Sequence, residues 1–182
     1  MRYRLLRSIA ILTVLLFALW TVSALAASDF PVNISGLEVF PGIPTGNIVY
    51  GDTFAGWVRG TGANPSGWAP CTSGSCGSWT VVINYSDPNG TGIGKGPATI
   101  LTGVWFLTLP NGHKFSGTVL GGKVTWPPDL NTDIGCGDGV ATVSTGLSFR
   151  SGGTGSFGGC LDDTHLQQVF PPHIWGTISK KS

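Results

Sequence analysis

Glycine or proline interrupts this chain nearly every ten residues beyond residue 30, which leaves little room for a helix of ordinary length. All 29 glycines lie after residue 26. No window carries a sustained apolar period of about 3.6 residues, whereas several short runs alternate with period two. In 78–86, Trp79, Val81, Ile83 and Tyr85 share one parity against Ser78, Thr80, Val82, Asn84 and Ser86. Ala141, Val143, Thr145, Leu147 and Phe149 repeat the arrangement against Thr142, Ser144, Gly146, Ser148 and Arg150. Such alternation belongs to half-buried strands. The run from Ile100 to Leu109 is more continuously apolar and reads as a central strand. One helical turn is conceivable, Asp163 to Val169, and Pro171-Pro172 stops it. The chain is expected to be all-β.

Low charge with abundant glycine is also the composition of disordered segments. Against that stand the tryptophans at 57, 68, 79, 105, 126 and 175, with many Val, Ile and Thr among them. Aromatic burial on that scale offsets the entropy cost of ordering the chain. Residues 27–182 are the right length for a single domain with its own core.

Two turns can be read residue by residue. Pro88-Asn89-Gly90 and Pro110-Asn111-Gly112 share one chemistry. Proline presets the first position of a type I turn, asparagine tolerates the second, and glycine takes the left-handed third. The product is a three-residue hairpin loop with a bulge at glycine. For the second turn this loop pairs Leu109 with His113 and Leu107 with Phe115. It also sets Trp105 near Gly117, leaving a slot beside the indole. A two-residue Asn-Gly loop would place Leu109 opposite Lys114 and Leu107 opposite Ser116, apolar against polar. The repeated turn predicts a meander, Trp79–Ser86 to Ile100–Leu109 to Lys114–Trp126. The expected fold is an antiparallel meander closing into a small β-barrel, with a β-sandwich as the alternative.

The first 26 residues predict a compartment. Arg2, Arg4 and Arg7 precede an apolar run from Ile9 to Trp20, and Ala24-Leu25-Ala26 offers small residues for cleavage. This is the layout of a secretory signal peptide, and the run falls short of the roughly 20 residues that a spanning helix needs. The expected product is secreted, extracellular or periplasmic, and does not span a membrane once the signal is removed. A porin-like barrel fits the size, but the proline-rich segments, the cysteines and the polar Ser179-Lys180-Lys181-Ser182 end argue against it. Cys71, Cys76, Cys136 and Cys160 form an even set, as disulfides in an oxidising compartment require. The expected pairing is Cys71–Cys76 with Cys136–Cys160. Zinc-knuckle spacing is absent.

Cleavage would remove three of the ten basic residues and none of the nine acidic ones. The remaining Lys and Arg are scattered, apart from Lys180-Lys181, so no basic face is available for nucleic acid. Catalytic constellations are thin. Asp162, Asp163 and His165, with His173 near in sequence, are the residues from which an acid–base pair would be built. Paired aspartates also serve ordinarily as turn caps. Glu38 is the only glutamate, so a glycosidase would have to draw on scattered aspartates. No Gly-x-Ser-x-Gly elbow is present. Asp129, Asn131, Asp133 and Asp138 alternate as calcium ligands do, but Val140 stands where the bidentate glutamate belongs. Asn33, Asn84 and Asn89 head glycosylation acceptor triplets. No cofactor is expected.

Near the C-terminus, Gly153-Thr154-Gly155-Ser156-Phe157-Gly158-Gly159 resembles the Gly-Thr-Gly-x-Phe-x-Gly motif of the allene oxide cyclase and dirigent-like β-barrels, and of small secreted bacterial barrels similar to them. The resemblance is confined to this stretch. Cys160-Leu161-Asp162-Asp163 departs from the small residues that follow in that family. The resemblance implies an up-and-down barrel with a small apolar cavity and carries no catalytic residue across.

The favoured reading is a secreted, non-catalytic β-domain whose specific role the sequence does not name, with a small apolar molecule in a barrel cavity as its candidate ligand. The first alternative is a carbohydrate-binding module that stacks polysaccharide on exposed indoles, with Trp68, Trp57 and Trp126 as candidates. A barrel enzyme, cyclase- or hydrolase-like, comes third.

Overall fold

The computed structural model describes residues 31–60, 76–87, 97–126, 134, 136–137, 139–162 and 171–181. The signal-like segment 1–26, the Pro88-Asn89-Gly90 turn and the helical-turn segment 163–169 lie outside them. Every regular element among the described residues longer than a single turn is a strand: β1 (Val32–Phe40), β2 (Ile43–Thr45), β3 (Ile48–Gly60), β4 (Gly77–Ser86), β5 (Ala98–Thr108), β6 (Lys114–Thr125), β7 (Ala141–Ser148), β8 (Thr154–Asp162) and β9 (His173–Lys181). Each long strand pairs antiparallel with its neighbours in sequence, and β1 bonds to both β9 and β3. The result is a closed eight-stranded up-and-down barrel, with β2 as an extra short strand on β3. Closure removes the free edges that an open sheet would expose.

The alternating runs face inward as their parity requires. Trp79, Ala141, Val143, Leu147 and Phe149 are buried, and Val81, Ile83 and Tyr85 pack on the same core. This apolar interior is the inverse of a water-filled membrane barrel, whose lumen is polar. The Pro110-Asn111-Gly112 loop has the expected form. Leu109 and His113 flank it, Gly112 N–H donates to the Leu109 carbonyl at 2.8 Å, and Gly112 has φ of 84°. Leu107 then faces Phe115, and Trp105 faces Gly117.

The β5 strand differs from its sequence-based expectation. It is not buried on both faces: Leu101, Val104 and Phe106 are exposed, while Ile100, Trp105 and Leu107 are buried. The outer side of β5 is uncovered, so a continuous apolar run still alternates in burial there. The phase also slips once, because Leu101 is an extra residue between the Tyr85–Ile100 and Asn84–Thr102 pairs. A bulge of this kind turns every following side chain to the opposite face.

Glycines admit the large rings. Trp105 on β5 faces Gly117 on β6, and its indole N–H donates at 3.1 Å to the Ser148 carbonyl of β7. Trp79 on β4 faces Gly56 on β3 and donates at 3.0 Å to the Ser35 carbonyl of β1. A Cβ at Gly117 or Gly56 would collide with those carbonyls. Burying an indole removes about 150–250 Å² from water, worth several kcal/mol, against about 1 kcal/mol net for one hydrogen bond. Burial therefore holds the rings, and the bond fixes their direction.

One end of the barrel is plugged. Phe149 meets Trp105 edge-on at 4.7 Å and Phe115 at 6.4 Å, and Lys180 Nζ lies 5.3 Å from the Phe149 ring centre. Cys136 and Cys160, 24 residues apart, form a disulfide that ties the segment before β7 to β8. Cys76 is also disulfide-bonded, and Cys71 lies outside the described residues. A disulfide is compatible with an oxidising, extracellular compartment.

Candidate functional site

The other end of the barrel holds a cavity of about 400 Å³. Its floor is Phe54 and Ile83, which also border a void of only about 50 Å³ at the barrel centre. The centre is thus filled by side chains, and the room for a ligand lies at the mouth. Pro41, Pro44, Val49, Ala98, Val124, Trp126, Leu161 and Pro172 supply apolar walls, while Glu38, Asp52, Tyr85 and Asp87 supply polar groups. Volume and character match small-molecule sites, which are mostly apolar with a few placed polar groups. The connection through β2 contributes Pro41, Gly42, Pro44 and Gly46 to the lining, and Val39, Phe40, Ile43 and Tyr50 beside it are exposed. An apolar rim therefore leads into the cavity.

Asp52 reaches the interior because of a bulge. Val49 pairs with Tyr85 and Asp52 with Ile83, so Tyr50 and Gly51 together face the single residue Asn84. Gly51 takes φ of 74°, and its N–H donates to Asn84 Oδ1 at 2.8 Å. The extra residue shifts the phase of β3, so that Asp52, Phe54 and Val58 all point inward and are buried. Glu38 comes from β1, where it pairs with Phe54 beside Asp52, and its N–H donates to the Pro172 carbonyl at 2.9 Å. Tyr85 closes the inward parity of β4. Gly42 lets the β1–β2 link approach closely: a Cβ there would sit 3.1 Å from the Asp52 backbone nitrogen and would strike the Val49 side chain.

The electrostatics follow from that placement. Asp52 is only 6 % exposed, and burial raises its pKa from 3.8 to about 8. A hydrogen bond and the charge of Glu38 push the same way, and backbone N–H groups of Gly42 and Thr53 oppose them. Two carboxyl groups share a hydrogen bond only when one is protonated. Burial beside Glu38 therefore favours the protonated form of Asp52. Its Oδ1 is buried and has no hydrogen-bond partner among the described residues. Tyr85 is held as the neutral phenol, first by burial and then by the charges of Asp52, Glu38 and Asp87. The mouth can thus present a proton, or the charge left by its departure, to a bound molecule.

The sequence pattern alone points to none of Glu38, Asp52 and Tyr85 as site residues. A signal was available: Gly51 inside an otherwise strand-like run marks a bulge, and Asp52 follows it directly. Asp162 pairs with His173 across β8 and β9. Their neighbours Leu161 and Ile174 line the interior, so this pair belongs to the opposite face. His173 is buried, which lowers its pKa, and the Asp162 charge partly restores it. Asp163 and His165 lie outside the described residues, as do Asp129, Asn131, Asp133, Asp138 and Trp68. Trp126 is 7 % exposed and lines the cavity rather than the surface. Trp57 and Trp175 are half-buried and flank Ser35 on the outer face. Among the described residues no group of three His, Cys, Asp or Glu could hold a metal ion, and no helix is long and apolar enough to cross a membrane. The chain matches no family model, no curated protein and no solved structure.

Proposed function

We propose that this domain is a non-catalytic extracellular binding module that takes a small, largely apolar molecule into the mouth of its barrel. The observation that carries this reading is the 400 Å³ cavity, walled by Pro, Val, Leu and Trp side chains above a filled core. Export through residues 1–26 belongs to the same reading, and the Cys136–Cys160 disulfide supports it. The resemblance of 153–159 to dirigent-like barrels implies an up-and-down barrel with an apolar cavity, which agrees with this reading of the mouth. The test is titration with short-chain alcohols and aromatic alcohols, followed by tryptophan fluorescence. Saturable binding that Val124→Arg abolishes, with the fold retained, supports the reading. Binding that survives Val124→Arg places the site elsewhere.

A second reading rests on the outer face. Trp57 and Trp175 sit on either side of Ser35, on the strands that flank β1. Two neighbouring half-buried indoles leave ring edges on this face on which a polysaccharide chain can stack. Retention on insoluble polysaccharide that is lost in Trp57→Ala would favour this reading.

A further inference from the structure

The polar side of the cavity is one-signed. Of the four acidic side chains among the described residues, Glu38, Asp52 and Asp87 line it, and no described Lys, Arg or His does. A second observation concerns hydrogen bonding rather than charge. Asp52 is 6 % exposed, yet its Oδ1 is an acceptor without a donor among the described residues. A buried acceptor without a partner is costly, so a ligand that supplies an N–H or O–H there is favoured. The rings of Trp126 and Tyr85, which also line the cavity, attract a cation through their faces.

Resting on the apolar-ligand reading above, we infer that the mouth cavity selects an apolar molecule bearing a protonated amine, with its ammonium seated against Asp52 and Glu38. The apolar walls take the body of the molecule, and the carboxyl pair takes its head. A carboxylate ligand of the same length is repelled, because it meets acidic groups and no described cation. A neutral alcohol keeps the hydrogen bond and loses the charge attraction.

The proton balance of such a complex is defined. In the free protein burial favours the protonated form of Asp52. An ammonium stabilises the ionised form, so the Asp52 proton passes to the buffer while the amine keeps its own. The complex then pairs one positive charge with a newly formed carboxylate. The ionisable groups that line the cavity with Asp52 are Glu38 from β1, Tyr85 from the end of β4 and Asp87 just beyond it.

The experiment compares octylamine, octanol and octanoate by calorimetry at neutral pH, in two buffers of different ionisation enthalpy. The inference predicts octylamine about tenfold tighter than octanol and octanoate weakest, as expected for a charge-assisted over a neutral hydrogen bond. It also predicts release of about one proton on amine binding. Asp52→Asn, or Glu38→Gln if the first variant does not fold, should bring amine and alcohol within about threefold of each other. If octanol binds as tightly as octylamine, or octanoate binds best, the inference falls while the apolar-ligand reading stands. If octanol and octylamine both fail to bind, the apolar-ligand reading falls and takes the inference with it.

Discussion

The indole N–H of Trp105 donates to the Ser148 carbonyl at 3.1 Å, reaching over Gly117 on the strand between them. The Trp79–Gly56–Ser35 set repeats the device on β4, β3 and β1. Glycine content in this chain is thus partly a packing requirement: a ring from one strand lies across the backbone of the next. Gly117→Ala puts a Cβ against the Ser148 carbonyl and 3.0 Å from Trp105 Nε1. We expect it to destabilise by about 3 kcal/mol, since overpacking and a broken buried hydrogen bond add. Trp105→Phe should cost less per atom removed than Trp105→Ala. Urea unfolding of the three variants checks the order.

Gly112 offers the complementary case. Its φ is 84°, and nothing lies within 4 Å of a Cβ built there. Substitution therefore meets backbone strain without crowding. Gly112→Val should cost about 1–3 kcal/mol, and Gly112→Asn clearly less, because asparagine tolerates the left-handed region. Equal costs for Val and Asn in urea melts would contradict the turn assignment.

Those two glycines also mark how far the sequence could be read. The Pro110-Asn111-Gly112 chemistry and the parity of Leu107 against Phe115 specify one register by themselves. The same holds for the inward set Trp79, Val81, Ile83 and Tyr85. Local pattern was enough there because each relation spans only a few residues. The site was not legible in that way. Glu38 and Asp52 meet through the β1–β3 pairing that closes the barrel, and Asp52 points inward only because Tyr50 and Gly51 share one partner. A single bulge reverses parity, so alternation read straight through 48–58 assigns the wrong face. The unbroken apolar look of Ile100–Leu109 misled for a different reason: Leu101, Val104 and Phe106 are apolar yet lie on the uncovered outer side of β5.

The Asp52 carboxyl should leave a mark on stability. Its pKa in the folded chain is about 8, against 3.8 when unperturbed. Between those values the folded chain keeps a proton that the unfolded chain has released. Stability therefore falls as pH rises through this window, by at most about 1.4 kcal/mol per pH unit for one proton. The slope arises at the buried Asp52 carboxyl. Asp52→Asn should flatten it. Unfolding midpoints of both proteins across the window test this, and parallel curves would contradict it.

The Cys136–Cys160 disulfide closes a loop of 24 residues. Replacing both cysteines by alanine should cost about 3 kcal/mol, chiefly by freeing the unfolded chain. Peptide mapping without reductant checks the pairing first, and also shows whether Cys76 is joined to Cys71. A loss much below 1 kcal/mol in the double variant would mean that the unfolded chain keeps this loop closed by other contacts.

The most direct test of the account is where an apolar molecule binds. Octanol titrated into the isotope-labelled protein should shift the Trp126 indole N–H and the Gly42 and Tyr85 amides saturably, with one common dissociation constant. Trp57 and Trp175 on the outer face should stay in place. Saturable shifts confined to Trp57 and Trp175, or no saturable shift at Trp126, Gly42 and Tyr85, would contradict the mouth of the barrel as the binding site.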